Sequence, residues 1–162
     1  MKFTIHCVWP STNFIPQTGN CRNQTLPHMG GIESQLKQDW PNYLNTNYSK
    51  FWSSEWDKHG TCSYMMPCYF FMLALDIYAI NYLQAYLNNA SILSGSNYNR
   101  NRIISTISRF VGVKPEVVCS KTSPNHVIEI RLCLNTNHIL QYINCPSQWF
   151  ARGKGQYVNF LQ

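Results

Sequence analysis

Seven cysteines, Cys7, Cys21, Cys62, Cys68, Cys119, Cys133 and Cys145, in a chain of 162 residues limit the fold more than any other feature. None belongs to the paired CxxC knuckles of a structural zinc site, so disulfides formed in an oxidising compartment are expected. An odd count leaves at least one thiol outside intramolecular pairs. Three sequons agree with that compartment and predict glycosylation at Asn23, Asn47 and Asn89: Asn23-Gln-Thr, Asn47-Tyr-Ser and Asn89-Ala-Ser. The opening Met1-Lys-Phe-Thr-Ile-His6 carries no apolar signal-peptide run, so the extracellular or secretory location rests on cysteines and sequons alone.

Only 12% of residues are charged against 44% hydrophobic, which excludes a disordered tail and a coiled coil. The length suits one domain, 1–162, and a monomer is expected. Lys and Arg outnumber acids 13 to 7, for a formal charge of +6, so a polyanion such as nucleic acid is the favoured partner. No run of basic residues concentrates that charge, and a basic but unpartnered surface would have the same composition. The longest apolar stretch, Tyr69 to Ala79, is interrupted by Asp76 and is shorter than the roughly 20 residues of a membrane span. A soluble protein with no membrane partner is expected.

Along the chain, Phe3, Ile5, Cys7 and Trp9 alternate with Lys2, Thr4, His6 and Val8, which predicts a strand ending at Pro10. Ser11 to Gly31 reads as a long loop that Cys21 could anchor. Ile32, Leu36 and Trp40 at four-residue steps predict a short amphipathic helix closed by Pro41. Pro67 opens an apolar segment, Cys68 to Leu87, that reads as one long buried helix. Ser91 to Tyr98 reads as loop, and a helix follows over Asn101 to Val111 with Ile103, Ile104, Ile107 and Phe110 on one side. Strands are predicted at Glu116 to Cys119, His126 to Leu134 and Tyr157 to Leu161, with a basic turn Arg152-Gly-Lys-Gly before the last. The fold class is α+β.

The chemistry concentrates in Phe51-Trp-Ser-Ser-Glu-Trp-Asp-Lys-His-Gly-Thr-Cys62. If this stretch is helical to Gly60, Glu55 and His59 lie at i and i+4 with Lys58 beside them: an acid, a proton-transfer group and a cation on one face. An exposed turn with a solvated ion pair satisfies the same spacing. RNA can be cleaved without metal because its own 2′-hydroxyl is the nucleophile. The enzyme needs a base, an acid and positive charge at the phosphorane. His6, His59 and Lys58 meet that requirement if the fold brings them together.

The two segments Phe3-Thr-Ile-His-Cys-Val-Trp-Pro-Ser11 and Phe51 to Cys62, in this order and at this separation, resemble the active-site segments of the T2-type ribonucleases. The resemblance covers nearly the whole chain, including Leu36 to Pro41, and is greatest to the plant self-incompatibility ribonucleases. It implies an antiparallel sheet with helices packed around it and no metal or other cofactor. It further implies single-stranded RNA as substrate, and a protein partner if the chain is of the self-incompatibility type. By the same resemblance His59 is the base, His6 the acid, and Glu55 and Lys58 stabilise the pentacovalent phosphate, releasing a 2′,3′-cyclic phosphate. Trp9 becomes a candidate for base stacking, and core packing would equally account for it. Ser54 stands where many relatives have a phosphate-binding third histidine. The implied disulfides are Cys21 with Cys62 and Cys133 with Cys145. Three further features depart from the family pattern: Cys7 replaces a glycine beside the catalytic histidine, Cys119 lacks its usual partner, and the signal and first strand do not precede His6, so the domain reads as N-terminally shortened.

Two other functions compete with the ribonuclease. One is a catalytically weak or dead relative that works by binding RNA or a protein in recognition or storage. The other is a Cys/His hydrolase using Cys7 or Cys62, disfavoured because neither cysteine has an obvious orienting third group.

Overall fold

The four-residue spacing of Ile32, Leu36 and Trp40 does produce a helix, α1 (Glu33–Asp39), with Leu36 and Trp40 fully buried. The computed structural model describes residues 3–10, 19–120, 125–135, 141–146 and 156–160. They gather into two compact units, one of Thr4–Asn81 and one of Met1–Phe3 with Tyr82–Gln162.

In the first unit α1 is followed by α2 (Tyr48–Lys58), a 3₁₀ turn (Gly60–Cys62) and α3 (Pro67–Ile80). The Asn47 side chain accepts from Lys50 N and so caps α2, while Trp52 and Trp56, one turn apart, point into the core. Pro67 starts α3, where its missing N–H costs nothing, and Phe70, Phe71, Ala74 and Leu75 pack against Trp40, Trp52 and Trp56.

The second unit contains α4 (Leu83–Asn89), β1 (Ser96–Asn99), α5 (Arg100–Val111), β2 (Glu116–Cys119), β3 (Val127–Arg131), β4 (Cys133–Asn135), β5 (Gln141–Ile143) and β6 (Tyr157–Phe160). The strands form antiparallel pairs, β1 with β6, β2 with β3 and β4 with β5. Ile103 and Ile107 of α5 enter a core with Leu87, Ile92, Val117 and Phe160, and Gly112 ends α5 at φ 84°, where a side chain would be strained. The fold is α+β, with antiparallel strands flanked by helices, as the sequence leads one to expect.

Three local expectations fail for identifiable reasons. Residues 3–10 are not a strand: Ile5 N donates to Asp39 O at 2.7 Å, and Ile5, Cys7 and Val8 lean on the core, so the period of two breaks at Val8. Ser91 to Tyr98 is not all loop, because Ser96 to Asn99 find a partner in β6, remote in sequence.

The apolar segment after Pro67 runs on to Asn89, 23 residues long enough to cross a membrane, beyond the Ala79 limit read from the sequence. It is nonetheless two helices. Asn81 turns out of helical geometry, and its side-chain amide donates back to Ile77 O at 2.8 Å. Tyr69, Ile80 and Tyr82 are exposed, so the segment is not buried throughout.

In β3, where Ile128 and Ile130 alternate with Glu129 and Arg131, Arg131 meets fully buried Glu116 across the strand pair at 3.1 Å and grips Glu129 at 2.9 Å, while Ile128 faces outward. The Arg152-Gly-Lys-Gly turn lies outside the described residues.

Gly60 follows α2 not as a left-handed cap but as a space requirement. A Cβ there would come within 2.0 Å of Trp56 Cε3. Gly60→Ala should therefore destabilise the protein by about 1–3 kcal/mol, the range of overpacked cores. The measurement is a lowered denaturant midpoint, and an unchanged midpoint would mean that the Trp56 ring moves aside without cost.

Candidate active site

The site begins with two backbone anchors. Trp40 Nε1 donates to His6 O at 2.9 Å and Trp52 Nε1 donates to Trp40 O at 3.1 Å, so the segment carrying His6 is tied through α1 to α2. His6 is exposed above this anchor, and its ring lies 5.2 Å from Trp9 at 85°. The other edge of the pair comes from α2, where His59 N donates to Glu55 O at 3.0 Å as the helix ends. The His59 ring meets the same Trp9 ring at 6.1 Å and 86°. Two imidazoles 53 positions apart in the chain thus flank one indole, with half-buried Glu55 beside His59. Lys58 and Ser54, also one turn apart, lie on the exposed side of α2.

Burial lowers the His59 pKa below the 6.5 of an ordinary imidazole. Glu55 opposes the shift, while the charges of Lys58 and His6 add to it. The neutral ring is the form that can accept a proton. The shift also carries a stability consequence. As pH falls below 6.5, the unfolded chain takes up this proton before the native one, so His59 contributes a loss of stability that is complete only below its folded pKa. In an NMR titration the His59 imidazole should turn over below 6.5, Glu55→Gln should lower its midpoint further, and Lys58→Met should raise it. A wild-type midpoint at or above 6.5 would contradict this electrostatic picture.

The end of α2 is fastened from the loop side. The Cys21–Cys62 disulfide spans 41 positions, and Thr61, almost fully buried, donates its hydroxyl to Asp57 O at 2.8 Å and accepts from Cys21 N at 3.0 Å. Arg22 Nε donates to Thr61 O at 2.7 Å, and Trp56 Nε1 donates to Gln24 O at 2.7 Å. The described part of the long loop is therefore bound to the helix that carries the candidate base. Cys133 pairs with Cys145, while Cys7, Cys68 and Cys119 stand outside both disulfides. Replacing Cys21 and Cys62 by Ala together should cost about 4 kcal/mol in the chain-entropy account. Equilibrium unfolding checks it, and a loss well under 1 kcal/mol would mean that the hydrogen bonds alone hold the turn.

Sequence reasoning missed two contributors, Trp40 and Thr61, and named Cys7 without its surroundings. Trp40 reads as scaffold, and its indole N–H, which holds His6, has no signature in the pattern. Thr61 acts through a hydroxyl whose partners are set only by the turn. Cys7 has its thiol close to both Glu55 and His59: the ligating atoms of these three lie within 4.8 Å of one another. The missing third group that disfavours a Cys7 hydrolase is thus present in space, whereas Cys62 is removed from that role by its disulfide.

An imidazole pair around one aromatic ring, with a carboxylate and an ammonium on the adjoining helix turn, defines a protein equipped for acid–base chemistry at an anionic group. Residues 1–145 match the Ribonuclease T2 family, and the chain belongs to it. It is 32% identical over 159 residues to ribonuclease S-7 of Pyrus pyrifolia, with 89% of this chain and 68% of that one covered. It is 33% identical over 153 residues to intracellular ribonuclease LX of Solanum lycopersicum, covering 89% and 64% respectively. Among solved structures, RNase NT in complex with 5′-AMP superposes with a TM-score of 0.87 at 28% identity, over 99% of this chain and 83% of that one.

Proposed function

We propose that this protein is an endonuclease of single-stranded RNA that needs no metal. His59 removes the proton of the ribose 2′-hydroxyl, whose oxygen attacks the adjacent phosphorus. His6 protonates the departing 5′-oxygen, and the products carry a 2′,3′-cyclic phosphate and a 5′-hydroxyl. Lys58 and Glu55 act on the phosphorane, Lys58 by charge and Glu55 by hydrogen bonding and by orienting His59. Ser54, exposed one turn before Lys58, offers a hydroxyl to a neighbouring phosphate. Trp9 spaces the two imidazoles and presents its open part to a base. The convergence of His6 and His59 on Trp9 carries this reading.

The two disulfides and the exposed Asn23, Asn47 and Asn89 support maturation in the secretory pathway with glycosylation at those positions, and the chain is read as a monomer. A protein partner belongs to this reading only in a self-incompatibility role.

His59→Ala and His6→Ala should each reduce cleavage of single-stranded RNA by about a hundredfold or more, the usual contribution of one acid or base, with thermal melting near wild type. The assay is run with chelator at mildly acidic pH and scores cyclic phosphate ends. Wild-type rates in either variant would remove that residue from its role. RNA retained without cleavage by the unmodified protein would instead favour a binding protein.

A further inference from the structure

We infer that Cys7, Glu55 and His59 form a binding site for Zn²⁺ whose occupation blocks RNA cleavage. The three ligating atoms, one sulfur, one carboxylate oxygen and one imidazole nitrogen, lie within 4.8 Å of one another, and all three residues are half-buried. Donors on a tetrahedral zinc ion sit about 3.3–3.6 Å apart, so the cluster has only about an ångström to close around the ion. Sulfur with nitrogen selects a borderline or soft ion over Mg²⁺ or Ca²⁺, which prefer oxygen alone.

The donors also sit on fixed backbone. Cys7 lies between His6, whose carbonyl holds Trp40 Nε1 at 2.9 Å, and Val8, which packs on the core. Glu55 and His59 are joined by the bond from His59 N to Glu55 O at 3.0 Å. The Cys7 S–H, which donates to Val8 O at 3.3 Å, releases its proton to solvent when the ion binds. Thiolate and carboxylate together balance the double charge of the ion. Three protein donors leave one tetrahedral position for water.

The block itself rests on the reading of His59 as the base. A ring nitrogen bound to Zn²⁺ cannot accept the 2′-hydroxyl proton. The binding does not rest on that reading, and the two are tested by different signals.

Co²⁺ serves as the spectroscopic probe and Zn²⁺ as the competitor, with wild-type protein and Cys7→Ser. Wild type should show a thiolate-to-cobalt charge-transfer band in the near ultraviolet that Zn²⁺ displaces, and Cys7→Ser should lack it. The Zn²⁺ affinity of Cys7→Ser should fall at least tenfold, since even outer partners of a metal ligand are worth about 10–100-fold. Zn²⁺ inhibition of RNA cleavage, taken relative to each protein's own rate with chelator, should weaken in parallel. No charge-transfer band in wild type, or a Zn²⁺ affinity unchanged by Cys7→Ser, overturns the site. The band with full occupancy and undiminished cleavage overturns the block, and that failure belongs to the role assigned to His59.

Discussion

Three buried indoles hold this molecule's first unit to a single arrangement. Trp40, Trp52 and Trp56 are all but inaccessible, and a buried indole N–H without an acceptor costs about 1–3 kcal/mol. Each finds its acceptor in backbone outside its own helix: Trp40 at His6, Trp52 at Trp40 and Trp56 at Gln24. The core therefore cannot form without also fixing those three carbonyls. That coupling turns ordinary apolar burial into placement of a functional segment, since residues 3–10 have no strand assignment to position them.

With the backbone fixed, very few charges are needed. The chain devotes 12% of its residues to charge, and one turn at the end of α2 gathers Glu55, Lys58 and the half-buried His59. In that setting each neighbour has two effects. Lys58 repels a proton from His59 and so favours the neutral imidazole, while its positive charge is free to meet an anion at the same turn. Glu55 pulls the other way and offsets part of the shift. A surface helix turn in full solvent would screen these interactions, and the partial burial of His59 preserves them.

The sequence made the helices and most strands legible because their signals are local: four-residue apolar steps in α1, Pro67 at the start of α3, alternation in β3 and glycine after α5. It made the candidate site legible as well, through residue types and the resemblance that the two segments carry. What it hid depends on partners remote in the chain. β1 needs β6, 61 positions later by the pairing of Ser96 to Asn99 with Tyr157 to Phe160, before it is a strand at all. Arg131 follows the alternation of an exposed residue until Glu116 is seen buried opposite it. Gly60 has the look of a helix cap, and only the Trp56 ring lying over it reveals that the position excludes a methyl group.

Cys7 is where these considerations meet. Cys21 and Cys62 close a disulfide just past the helix turn that carries His59, the kind of bond that persists in an oxidising compartment. A half-exposed thiol there is open to oxidation, and sulfenic or sulfonic products would set added oxygen atoms beside Glu55 and His59. Ligation of the thiolate withdraws it from that chemistry, because its lone pair is held by the ion and its access to oxidant is reduced. On this account acid–base turnover and metal binding exclude one another at a single nitrogen of His59, and the concentration of free Zn²⁺ decides between them.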